Sequence, residues 1–267
     1  MFLNAVILVL QEILEASLLL SLLLALTRLL GEPWPAGSRW RSGWAPLSIV
    51  CGIAGSWAFA AAMPVVSAWF DYVGQEVVNA AFQLVTIALL LVLGYAWRGG
   101  AGASPWARGT VTLCLIVIVT LAITREGSEI ILYTEGIMGQ PEALTPVLLG
   151  AIVAAGIGVS CGVLLYFILR SLTDRHALRV AVLLLALFAG NMASQAVLLL
   201  TQADWVPYTP ELWDTTALLP EYSIPGQLLY ALVGYEATPS LAQLGGYVAA
   251  FVALACSPLF RLAWRGE

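Results

Sequence analysis

The sequence predicts an all-α polytopic membrane protein. Seven transmembrane helices form a 3+3 inverted repeat plus a seventh helix, with the N-terminus outside and the C-terminus inside. Three observations predict this. Of 267 residues, 61% are apolar and only 10% charged, whereas a soluble domain carries about 25% charged residues. Seven apolar runs reach the ~20 helical residues needed to cross a hydrocarbon core of ~30 Å. An offset of 114 residues lays Glu12 on Glu126 and Glu15 on Glu129, in the first and fourth runs.

The runs are taken in chain order as 3–27, 46–69, 77–96, 110–138, 145–169, 179–201 and 239–260. The first lacks a basic n-region and carries two glutamates where a signal peptide is uniformly apolar, so it is expected to be retained as a helix. Loop 31–45, rich in Pro and Gly, is read as an interfacial connection with Trp34, Trp40 and Trp44 at headgroup level. Loop 99–109 is read as a flexible cytoplasmic link between halves. The whole is a single membrane domain: repeat one over 3–96, repeat two over 110–201, an outer segment over 202–238, and the seventh helix over 239–260.

Arginine sets the orientation, because the chain has no lysine. Arg28, Arg39, Arg41, Arg98, Arg108, Arg170, Arg175, Arg179, Arg261 and Arg265 all fall on one side, which the positive-inside rule makes cytoplasmic. The outer segment holds Asp204, Glu211, Asp214, Glu221 and Glu236 among interleaved aromatics. It is either an ordinary interfacial connection, or a docking face or cation-collecting mouth. Within it, IPGQLLYALVGYE is amphipathic and too short to span, which suits an interfacial or re-entrant helix.

The exception to the arginine pattern is Arg125, inside a span in the run Arg125-Glu126-Gly127-Ser128-Glu129. Charge at the bilayer centre costs about 2.5–3.5 kcal/mol per residue even on insertion scales, so three charges in five residues require a function. Positions i and i+3 share a helix face. Glu12 and Glu15 therefore project together, as do Glu126 and Glu129. Two crossing helices would gather these four carboxylates, which need protons or a cation to coexist in low dielectric. Carboxylate oxygens suit hard cations, among them iron, manganese, magnesium and calcium. Glu12, Glu15, Glu126 and Glu129 are thus the candidate metal ligands. Arg125 offsets part of their charge, and Gly127 permits close helix approach. Tyr133 shares the glutamate face, and Glu135, toward the outer end, is a candidate entry residue. Gln83, Asn191 and Gln195 lie in corresponding spans of the two halves, where such amides more often join helices than bind ions.

Other classes fall away. The single histidine, His176, lies outside the spans, so a bis-histidine haem is excluded. No HExxH and no nucleophile–histidine pair exists, and no enzyme is expected. The four cysteines form no CxxC and are expected as inert buried thiols.

Arg125-Glu126-Gly127-Ser128-Glu129 resembles the R-E-G-x-E signature of the oxidase-dependent iron permease family, which includes the yeast high-affinity iron permeases and bacterial relatives. Gln11-Glu12-Ile13-Leu14-Glu15-Ala16 is similar to that family's first-helix copy, R-E-G-L-E-A, departing at Gln11 and Ile13. Ala189-Gly190, Leu232-Val233-Gly234-Tyr235, Pro239-Ser240, Gln243 and Tyr247 extend the resemblance across nearly the whole chain. The resemblance implies iron import across a cell membrane, the bacterial inner membrane in this setting. Glu12, Glu15, Glu126 and Glu129 become iron ligands, and Gln11 takes an arginine's place beside them. Iron is then the transported substrate, with no permanently bound cofactor. Membrane lipid and a periplasmic or extracellular iron-binding or oxidase protein are the partners, nucleic acid is not, and a homo-oligomer is compatible. Two other readings stay open: a permease for another divalent cation such as manganese, and a non-transporting membrane anchor subunit of an extracellular redox complex.

Overall fold

A computed structural model describes residues 2–30, 40–97, 105–137 and 141–264. The chain is all-helical: α1 (Phe2–Leu29), α2 (Trp40–Val66), α3 (Gly74–Ala96), α4 (Pro105–Ile137), α5 (Pro141–Ser171), α6 (Asp174–Gln202), α7 (Ile224–Val233), α8 (Leu241–Ala255) and α9 (Pro258–Trp264). Helices α1 to α6 are each long and apolar enough to cross a membrane, and α8 with α9 makes a seventh candidate span. The expectations for loops 31–45 and 99–109 fall largely on 31–39 and 98–104, outside the described residues.

The seventh run differs from a single span. It bends by 66° between α8 and α9. Pro258 opens α9 and has no N–H to extend the ladder of α8. Ser257 Oγ instead accepts from Phe260 N at 3.4 Å, starting a new helix. Upstream, Ser240 and Gln243 form a reciprocal capping box that fixes the start of α8.

Packing is closest in two helix pairs, α1 with α5 and α2 with α4, while α6 packs on α8 and α3. Exchanging α1 with α4, α2 with α5 and α3 with α6 maps each of the two closest pairs onto the other. Small residues permit both contacts. A Cβ on Gly158 of α5 would lie 2.6 Å from Ile13 Cγ2, and one on Gly52 of α2 would lie 2.6 Å from Ile123 Cβ. Hydroxyl bonds stitch the same seams: Ser17 Oγ donates to Gly158 O at 2.9 Å, Ser21 Oγ to Gly162 O at 2.7 Å, and Ser56 Oγ to Ile123 O at 2.8 Å.

Helices α1 and α6 are the most enclosed, and α2 and α5 face outward with residues such as Val50, Trp57 and Ile152 exposed. The main apolar core joins Leu19, Leu23 and Leu26 of α1 with Leu90, Leu93, Leu115, Ile118 and Leu185. Trp44 is part of this cluster and only 2% exposed. It is therefore a packing residue and not one presented to headgroups; its large apolar ring gains more from enclosure. Two cysteines also differ from expectation. Cys51 on α2 and Cys256 in the turn after α8 are exposed, while Cys114 is buried; all four are free thiols.

The short helix α7 is packed into the bundle. Its Leu228, Ala231 and Leu232 lie against Val6, Val9, Leu10 and Leu14 of α1. It starts on a Ser223 cap whose Oγ accepts from Gly226 N at 3.1 Å. It ends at Gly234, which has φ +70°. Asn191 Nδ2 donates to Tyr230 O at 3.2 Å and Tyr247 Oη to Val233 O at 2.6 Å, anchoring this end in the middle of α6 and α8. Asn191 thus does join elements, as its residue type suggests. Gly234→Ala is expected to lower stability by about 1–2 kcal/mol from the left-handed backbone alone. A Cβ there would also sit 2.7 Å from Tyr247 Cε2. Thermal melting in detergent checks this; an unchanged midpoint would contradict the seating of α7.

Candidate metal centre

Four glutamates and one arginine meet where α1 crosses α4. The i,i+3 spacing turns Glu12 and Glu15 to the inner face of α1, and Glu12, Glu15, Arg125 and Glu126 are all buried. Carboxylate oxygens of Glu12, Glu126 and Glu129 lie within 4.8 Å of one another. Two oxygens on opposite sides of an ion bound at about 2.0–2.6 Å are about 4–5 Å apart, so this set has the dimensions of a hard-cation cradle. Glu12 and Glu126 are both buried within this set, and Glu126 Oε2 has no hydrogen-bond partner. A proton or a cation between them resolves the repulsion. The Glu129 side chain is 32% exposed, against 3% for Glu126, and so opens the cradle.

Arg125 binds the group from its centre. Its Nη1 donates to Glu126 Oε1 at 2.6 Å and lies 3.5 Å from Glu15 Oε2. Its Nε pairs with Glu129 Oε1 at 3.7 Å, beyond hydrogen-bond distance. Glu15 stands outside the three-oxygen cradle, between Arg125 and Gln195. Gln195 Nε2 donates to both Glu15 oxygens, at 3.3 and 3.4 Å.

The supporting residues are placed as follows. Gln11 is half-buried on α1. Gly127 faces α2, where a Cβ would collide with Ser56 Oγ, so its smallness serves the α2–α4 seam and not an α1–α4 contact. Ile13, which stands where the resembled motif has glycine, is accommodated by Gly158 on the opposing helix. Among the described residues no hydrogen bond joins Tyr133 to a carboxylate; it is half-buried on α4. Glu135 is exposed near the end of α4. Ser128 bonds back to Arg125 O at 2.7 Å, which turns its hydroxyl toward its own helix backbone.

Residue type alone marked Gln83 and Gln195 as helix joiners, yet both lead into the site. Their occurrence in corresponding spans was the available signal. A second acid, Glu236, was distinguishable only as one of several outer acids. Its carboxylate accepts from Gln243 Nε2 at 2.5 Å and Ser194 Oγ at 3.3 Å. Burial holds this carboxyl above its ordinary range, opposed by the Gln243 bond. Ser194 and Gln195 are adjacent on α6, so one turn of that helix holds both Glu236 and Glu15.

Fold and site define a multi-pass, all-helical membrane protein with an acidic cluster of metal-binding dimensions in its interior. Over residues 2–264 the chain matches the Iron permease FTR1 family, and it belongs to that family. Permeases of this family are transporters, not enzymes, and the resemblance read from the two glutamate motifs is borne out. No curated protein and no solved structure matches the chain.

Proposed function

We propose that this permease imports iron across the cytoplasmic membrane. Glu12, Glu126 and Glu129 cradle the ion, and Glu15 is the fourth carboxylate beside them. The observation that carries this is the meeting of acidic oxygens from α1 and α4, within 4.8 Å, inside a membrane-spanning bundle. With all four ionised, four carboxylates and one guanidinium leave a net charge of −3, which favours a multivalent cation. The two closest helix pairs map onto each other under exchange of halves, which supports the 3+3 inverted repeat with its site at the repeat interface. The arginine distribution supports the N-terminus outside. Glu135 and the acidic outer segment then face the iron supply, and an external iron-binding or oxidase protein docks there.

The test is radiolabelled iron uptake in proteoliposomes. Glu12→Gln and Glu126→Gln are each expected to lower uptake at least tenfold at equal protein. Uptake at the parent rate in both would remove the site assignment. Excess manganese competing as well as iron would reassign the substrate, and no metal movement by the parent would favour an anchoring subunit.

A further inference from the structure

Arg125 Nη1 serves two carboxylates at once, Glu126 at 2.6 Å and Glu15 at 3.5 Å. Glu126 belongs to the cradle and Glu15 does not. A cation in the cradle would repel the guanidinium and compete with it for Glu126, leaving Glu15, 3.5 Å from Nη1, as its other carboxylate partner. The position of Glu15 is fixed from behind. Gln195 Nε2 donates to both its oxygens, and Gln83 Nε2 donates to Gln195 Oε1 at 2.7 Å. That second bond decides which end of the Gln195 amide faces Glu15, since Oε1 is already committed to a donor. Gln83 gives up its donor this way while its own Oε1 stays buried without a partner.

We propose that Gln195, oriented by Gln83, is a positioning residue for transport: it holds Glu15 as the counter-site that receives Arg125 when the ion occupies the cradle. This rests on the permease reading above. Iron enters by exchanging with the guanidinium, and the exchange is easy only when Glu15 is held within reach of the same nitrogen. Loosening Glu15 leaves Arg125 on Glu126 and weakens ion entry without touching a cradle ligand.

The experiment measures KM and Vmax for iron uptake in proteoliposomes carrying the parent, Gln195→Leu, Gln83→Met, and the double variant. Each single change is expected to raise KM at least threefold. The double is expected to be no worse than Gln195→Leu, because both act through one contact. KM effects that multiply in the double, or a parental KM in Gln83→Met with correctly inserted protein, would overturn the proposal. Should Gln195→Leu fail to insert, the KM of Gln83→Met decides alone. A parent that moves no iron would sink the permease reading itself, an outcome distinct from parental uptake with unshifted KM in the variants.

Discussion

Arg125→Leu is expected to destabilise the metal-free protein by about 3–5 kcal/mol, the usual cost of removing one partner of a buried ion pair. The reason is the charge count. Arg125 is the cation for Glu15, Glu126 and Glu129, at 3.5, 2.6 and 3.7 Å. Without it, buried carboxylates of α1 and α4 are left facing each other. The loss should show as a lower melting midpoint in detergent. Adding iron or manganese should recover part of it, because a bound cation supplies the missing charge and stabilises by mass action. Arg125→Lys should fall between, since it returns the charge without the planar fork. A melt of Arg125→Leu matching the parent, with metal making no difference, would mean that these acids are not electrostatically linked.

Gly158→Leu is expected to be damaging as well, for a steric reason. A Cβ at this position would lie 2.6 Å from Ile13 Cγ2 and 3.0 Å from Ile13 Cβ. Overpacking a well-filled seam commonly costs about 1–3 kcal/mol, and here three more carbons must follow the first. Helix α1 carries Glu12 and Glu15 on the turns beside Ile13, so separating α1 from α5 also displaces the cradle. Iron uptake should fall together with stability. Gly156→Leu on the same helix is the control, because nothing lies within 4 Å of its Cβ position, and it should be nearly neutral. Pairing Gly158→Ala with Ile13→Ala should restore most of the loss seen in Gly158→Ala alone. A neutral Gly158→Leu would show that α1 and α5 are not in close contact.

The two seams explain why one motif copy tolerates isoleucine where the other has glycine. In α4 the small residue is Gly127 and its neighbour is Ser56; in α1 the residue is Ile13 and the small neighbour is Gly158. Close approach needs one small partner per contact, and either helix can supply it. The motif sequence shows only one side of each contact, so the consequence of Ile13 could not be read from the motif.

Sequence alone determined the class of protein, the first six of the seven spans it predicts and the acids that α1 and α4 bring together. A lipid-crossing helix must be predominantly apolar over about 20 residues, so each span declares itself locally and each charge within it stands out. The i,i+3 spacing likewise fixes which glutamates share a face. Tertiary structure decided which carboxylate oxygens lie within 4.8 Å of one another, which carboxylates pair with the arginine, and that a glutamine from α6 holds Glu15. It also decided that the last run breaks at Ser257 and Pro258, that Trp44 is enclosed and that α7 is packed into the bundle. These outcomes depend on how each helix is rotated and how closely it approaches its neighbour. Rotation and approach are set by pairs of residues far apart in the chain, such as Ile13 with Gly158 and Gln83 with Gln195, and no local pattern encodes such a pair.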